Sequence, residues 1–106
     1  MTERYTITLT ACANRDDARA LAAALLEARL AACVQMLPIE SVYVWDGAVQ
    51  NDNEVLLLIK GRASDFTAVK SLILRLHSYE LPEVIQVPIT DGFDRYLAWL
   101  GDPYGA

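Results

Sequence analysis

Five consecutive apolar residues, Val55-Leu56-Leu57-Leu58-Ile59, sit inside a segment that otherwise reads as a β-strand. A strand with one wet face alternates apolar and polar residues, because successive side chains point to opposite sides. A run that is apolar at every position needs cover on both faces. It is a central strand, or one sealed by a neighbouring chain. The chain has 106 residues, room for one domain over residues 1–106 and not for two. A single layer of helices at this size leaves much of a sheet bare. With 54% hydrophobic residues, the composition therefore points to apolar surface buried against another copy.

The flanking segments supply the rest of a fold. Tyr5, Ile7 and Leu9 alternate with Thr6, Thr8 and Thr10, which predicts a strand with one apolar face and one of threonines, ending near Cys12. Asn14 reads as an N-cap, with Asp16 and Asp17 in the first turn of a helix running to about Ala32. Cys33 to Met36 opens a second strand, interrupted at Leu37-Pro38 and resumed over Ser41 to Trp45. Asp46-Gly47 is a tight-turn signal, and Val49 to Lys60 is the return strand. Ser64 or Asp65 caps a second helix that ends around His77-Ser78. Val84 to Ile89 is a fourth strand, which Pro88 confines to an edge or a strand end. Phe93 to Leu100 makes a last short helix. The order β-α-β-β-α-β plus a C-terminal helix predicts an α+β, ferredoxin-like domain: a four-stranded antiparallel sheet with helices on one face.

Charge and motif content narrow the function. Net charge is −5, with only nine Lys and Arg and no basic run, so neither nucleic acid nor an anionic membrane is an expected partner. The apolar run is far too short to span a bilayer. Met1 to Arg4 leads into the first strand without the basic and apolar regions of a signal peptide. Two cysteines are too few for a secreted disulfide scaffold, and the expected compartment is the reducing cytoplasm. No nucleophile elbow, P-loop, dinucleotide fingerprint or zinc-protease helix occurs, and catalysis is not expected.

Strand direction sorts the polar residues. Cys12 closes the first strand and Cys33 opens the second, so they stand at opposite ends of a sheet roughly 20 Å long. A disulfide needs Cα atoms within about 7 Å, and an intrachain bridge is excluded. Lys60 falls at the Cys33 end. His77, Tyr79 and Glu80 fall at the Cys12 end, toward the hairpin that carries Trp45. Neither group holds the three or four ligands of a closed metal site, so a rich site has to be assembled between subunits.

Several segments together resemble the divalent-cation tolerance (CutA) family. They are Leu30 to Gln35, the hairpin Ser41 to Gly47, Glu54 to Lys60, His77-Ser78-Tyr79-Glu80-Leu81-Pro82-Glu83-Val84, and Tyr96 to Leu100. The resemblance implies a homotrimer whose long strands pair between subunits, and a link to tolerance of divalent metals, chiefly copper. It implies Cys33, His77 and Cys12 as metal-ligand candidates, and an inter-subunit cleft of Trp45, Glu54, Lys60, Tyr79, Glu80 and Glu83. Ser78 stands where the family usually has proline, and Ala13-Asn14-Arg15 departs from its usual helix start. Thiol and imidazole donors favour copper or zinc over magnesium or calcium. A different reading remains open: a trimeric signalling module resembling the nitrogen-regulatory PII type, holding a small anionic metabolite against Lys60. Plainer roles are a packed thiol for Cys33, a helix-end residue for His77, an interface anchor for Trp45, and an ion pair of Lys60 with Glu54 or Glu83 of a neighbouring subunit.

Overall fold

A computed structural model describes residues 4–105. Residues 1–3, on which the N-terminal reading above partly rests, lie outside the described residues. The chain runs β1 (Tyr5–Cys12), α1 (Arg15–Glu27), β2 (Cys33–Trp45), β3 (Ala48–Arg62), a 3₁₀ turn (Ala63–Asp65), α2 (Phe66–Leu76), β4 (Ile85–Ile89) and α3 (Asp94–Gly101). The four strands form one sheet in the order β2-β3-β1-β4, with every neighbouring pair antiparallel. This is the ferredoxin-like arrangement expected from the order of elements. The apolar run lies in β3, a central strand flanked by β1 and β2 as expected, but within the chain only the face carrying Val55, Leu57 and Ile59 is buried.

One sheet face is dry. Val55, Leu57 and Ile59 of β3 and Cys12 of β1 pack there against Ala18, Leu21, Ala22 and Leu25 of α1 and Val69 and Ile73 of α2. Directly paired residues share a face, and Thr8 pairs with Ile59 while Thr10 pairs with Leu57. The threonines of β1 therefore point into this core, and all three are buried. Thr6 donates its hydroxyl to the Val87 carbonyl at 3.0 Å. The Thr10 hydroxyl is buried without a hydrogen-bond partner. An unmet buried hydroxyl costs about 1–3 kcal/mol. Thr10→Val, which keeps the shape and removes the hydroxyl, is expected to raise unfolding free energy by about 1 kcal/mol, read from the denaturant midpoint.

Among the described residues, no helical layer lies over most of the opposite face. Ile7 and Leu9 lie there beside Leu56 and Leu58, and Ile85 and Val87 continue the row on β4. Ile85 and Val87 are 49% and 42% exposed, high values for strand aliphatics facing outward from one sheet. Only at one end does α3 approach, where Tyr96 reaches Lys60.

β2 and β3 run on past the end of β1. The last β1 pair is Cys12 with Val55, yet β2 and β3 continue from Ile39 with Glu54 to Trp45 with Ala48. This two-stranded arm stretches the molecule to 48 × 28 × 22 Å. Asp46 and Gly47, both at positive φ (53° and 76°), make the two-residue turn that right-twisted strands favour.

Three boundaries differ from expectation. β2 is continuous through Leu37-Pro38, with Pro38 opposite Val55, because an edge strand tolerates a missing donor. The first helix stops at Glu27 rather than near Ala32. Arg29 adopts a left-handed conformation (φ 59°), and Leu30 N–H turns back to the Leu25 carbonyl at 3.0 Å. Glycine usually fills this position. Here the guanidinium stacks on Tyr104, 4.4 Å from the ring centre, and the Tyr104 hydroxyl donates to Leu26 O. Finally, Asp65 precedes α2 but makes no side-chain cap; its carboxylate binds Arg62 instead, at 2.9 Å.

Candidate functional site

The richest polar arrangement forms where β1 ends and α2 gives way to the segment leading into β4. β1 brings Cys12 to the rim of the core, where it is 3% exposed. Asn14 caps α1 by accepting from Asp17 N–H at 2.8 Å, which sets the first turn of α1 beside this rim. α2 ends at Leu76, and His77 turns back over β1. A cleft of about 200 Å³ results, lined by Cys12, Asp17, Leu21, Leu76 and His77.

His77 is tied at both ring nitrogens. Nδ1 accepts from Tyr79 N–H at 3.0 Å, and Nε2 lies 2.8 Å from the Ala11 carbonyl. An amide can only donate and a carbonyl can only accept, so the network assigns the proton to Nε2. Cys12 Sγ stands 4.0 Å from the same nitrogen. Burial, followed by the Asp17 and Glu54 charges, pushes the Cys12 thiol up to about 11. At neutral pH it is therefore a protonated thiol.

Tyr79 extends this group to the arm. Its ring lies 4.8 Å from that of His77, and its hydroxyl donates to Glu54 at 2.7 Å. Glu54 is the first β3 residue, counting from the core toward the tip, with no β1 partner. Burial and the Glu54 bond hold the Tyr79 phenol above its ordinary range. Two pairs further out, Tyr43 donates to Asp52, and that bond raises the Tyr43 phenol as well.

The other candidates lie elsewhere. Cys33 opens β2 directly across from Lys60, at the far end of the sheet from Cys12. Both thiols are free, in line with the expected separation. Lys60 Nζ meets the Tyr96 hydroxyl at 3.5 Å and the Tyr96 ring at 5.6 Å from its centre. Within the chain, Glu54 is engaged by Tyr79 rather than by Lys60. Trp45 closes β2 at the arm tip, 43% exposed. Glu80 and Glu83 are exposed in the segment between α2 and β4. So the fold unites Cys12 with His77, and Tyr79 with Glu54, while Cys33 and Lys60 form a separate group. Sequence reasoning passed over Asp17 as a cleft residue; its only signal was a first-turn acid two residues beyond the strand-to-helix junction.

Among the described residues no three His, Cys, Asp or Glu side chains cluster closely enough to enclose a metal. Two donors do match one ion. Sulfur and nitrogen bound at ~2.3 and ~2.0 Å to the same metal stand roughly 3.5–4.3 Å apart between tetrahedral and linear arrangements, and the observed 4.0 Å falls in that span. A thiolate–imidazole pair suits soft and borderline cations.

A ferredoxin-like sheet with one largely uncovered face, an overhanging two-stranded arm and a thiol–imidazole cleft at the arm's root defines a small α+β domain. The profile of the CutA1 divalent ion tolerance protein matches residues 6–103, and the chain belongs to that family. It is 40% identical to the divalent-cation tolerance protein CutA of Thermus thermophilus over 100 residues, covering 93% of this chain and 97% of that one. It is 48% identical over 88 residues to the chloroplastic protein CutA of Arabidopsis thaliana, covering 82% of this chain, and spans about half (48%) of that longer protein. Among solved structures, CutA1 from Shewanella sp. SIB1 superposes with a TM-score of 0.90 at 40% identity, covering 94% of each chain. The family is one of divalent ion tolerance proteins.

Proposed function

We propose that the chain works as a cytoplasmic homotrimer that binds a copper-like cation at the cleft of Cys12 and His77. The observation that carries this reading is the 4.0 Å approach of the two donors at a cleft that also holds Asp17. Assembly is supported by the half-exposed aliphatics of the bare sheet face and by the arm, since an isolated two-stranded ribbon is marginal in water. A reducing compartment fits, because oxidation would remove the thiol as a ligand. Cys33 lies too far along the sheet to share an ion with Cys12 of its own chain. The anion reading has less support: Lys60 bends onto Tyr96, and the arm root carries the carboxylates Glu54 and Asp52.

Copper(I), supplied with a reductant, is expected to raise thermal stability by linkage, about 2.7 kcal/mol at a hundredfold excess over the dissociation constant. The shift should vanish in Cys12→Ala/His77→Ala and persist in Cys33→Ala. The reverse pattern would move the site to the other end of the sheet. Because the ion displaces the thiol proton, affinity should tighten about tenfold per pH unit between pH 6 and 8, below the raised Cys12 value of about 11. Calorimetry in buffers of different ionisation enthalpy counts the released proton directly; none released would exclude Cys12 as a ligand.

A further inference from the structure

Neither nitrogen of His77 is free to bind an ion without cost to its neighbours. If Nδ1 binds, Tyr79 N–H loses its acceptor outright. If Nε2 binds, a neutral imidazole must carry its proton on Nδ1, and two donors then face each other where Nδ1 and Tyr79 N now stand 3.0 Å apart. Both routes end the same way: the hydrogen bond that folds Tyr79 back against His77 is lost. In the second route the proton that leaves Nε2 is the one Nδ1 receives, so the ring stays neutral, while the Ala11 carbonyl loses its donor.

We propose that cation capture at His77 opens the Tyr79–Glu54 clamp at the root of the hairpin arm, so that the cleft and the arm form one coupled device. The proposal rests on the cation reading above and adds its consequence. Tyr79 ties the His77 ring to Glu54 of β3: its amide binds the ring, its own ring lies against it, and its hydroxyl holds Glu54. In the surrounding segment Ser78, Glu80, Leu81 and Glu83 are exposed, and the next hold toward the core is Val84. Glu54 is also the point at which β3 loses β1 as a neighbour, so the clamp braces the arm where the sheet support ends. Coupling between two sites is reciprocal in free energy. An ion that loosens the clamp therefore binds more tightly when the clamp is already broken.

The test uses the full chain, ¹⁵N-labelled and reduced, titrated with zinc chloride as a diamagnetic probe. The His77 ring nitrogens report capture, and amide exchange at Tyr79 reports the clamp. At saturation the Tyr79 amide is expected to exchange at least about tenfold faster. Tyr79→Phe, which keeps the ring and removes the hydroxyl, is expected to bind zinc about fivefold more tightly than the unaltered chain. Shifted His77 signals with unchanged Tyr79 exchange would overturn the coupling and leave the cation site standing, as would equal affinities for Tyr79→Phe and the parent. Saturating zinc that leaves the His77 nitrogens unmoved would remove the cation site, and the coupling along with it.

Discussion

Leu58→Glu is expected to reduce the proposed trimer to single chains. Leu58 faces the uncovered side of the sheet, directly paired with Leu9 of β1 and Gln35 of β2. In an isolated chain a carboxylate there is only half-buried and tolerable. At a packed interface it becomes a desolvated charge, and three copies meet. Burying a charge without a partner costs several kcal/mol, more than most contacts return. Sedimentation equilibrium at micromolar concentration should show the mass falling to one third. A Leu58→Glu protein that still sediments as three chains would mean that this face is not the interface.

Leu57→Ala, one residue earlier, is expected to fail in the opposite way. Its side chain is fully buried on the helix side, in one cluster with Leu25 and Ile73. Truncation removes methyl groups and leaves a void that the rigid sheet cannot close, for a loss of about 3–4 kcal/mol. The denaturant midpoint should drop accordingly while the sedimenting mass stays that of the parent. A loss below about 1 kcal/mol would show that the core collapses around the gap. The contrast between neighbours follows from the pleat, which sends successive side chains to opposite faces.

The same pleat sets how far the fold was legible. The all-apolar centre of β3 announced a central strand, and Asp46-Gly47 marked the turn, so the order and type of elements followed from local patterns. Alternation in β1 showed two faces without showing which one met the helices. The threonines face the helices and the aliphatics the uncovered side, a choice that the alternation itself does not carry. Arg29 gave no stop signal for α1: the residue that takes the left-handed turn is an arginine held by Tyr104, far along the chain. Pro38 looked like an interruption because a proline breaks an inner strand, yet β2 lies at an edge. At the site, topology alone placed His77 near Cys12. The Tyr79–Glu54 bond was not visible, since the sequence presented Glu54 as a partner for Lys60 and gave no measure of how far the arm overhangs the sheet.

Each outer strand carries a proline, Pro38 in β2 and Pro88 in β4. A ribbon that grows by adding sheet to sheet needs an unbroken row of amide donors along the seam, and proline on an edge strand works against such a row. Unlimited edgewise stacking is thereby discouraged, and the proposed trimer would draw on the sheet face and the arms instead. For a chain with so much exposed aliphatic surface, those two rings are a safeguard against fibres.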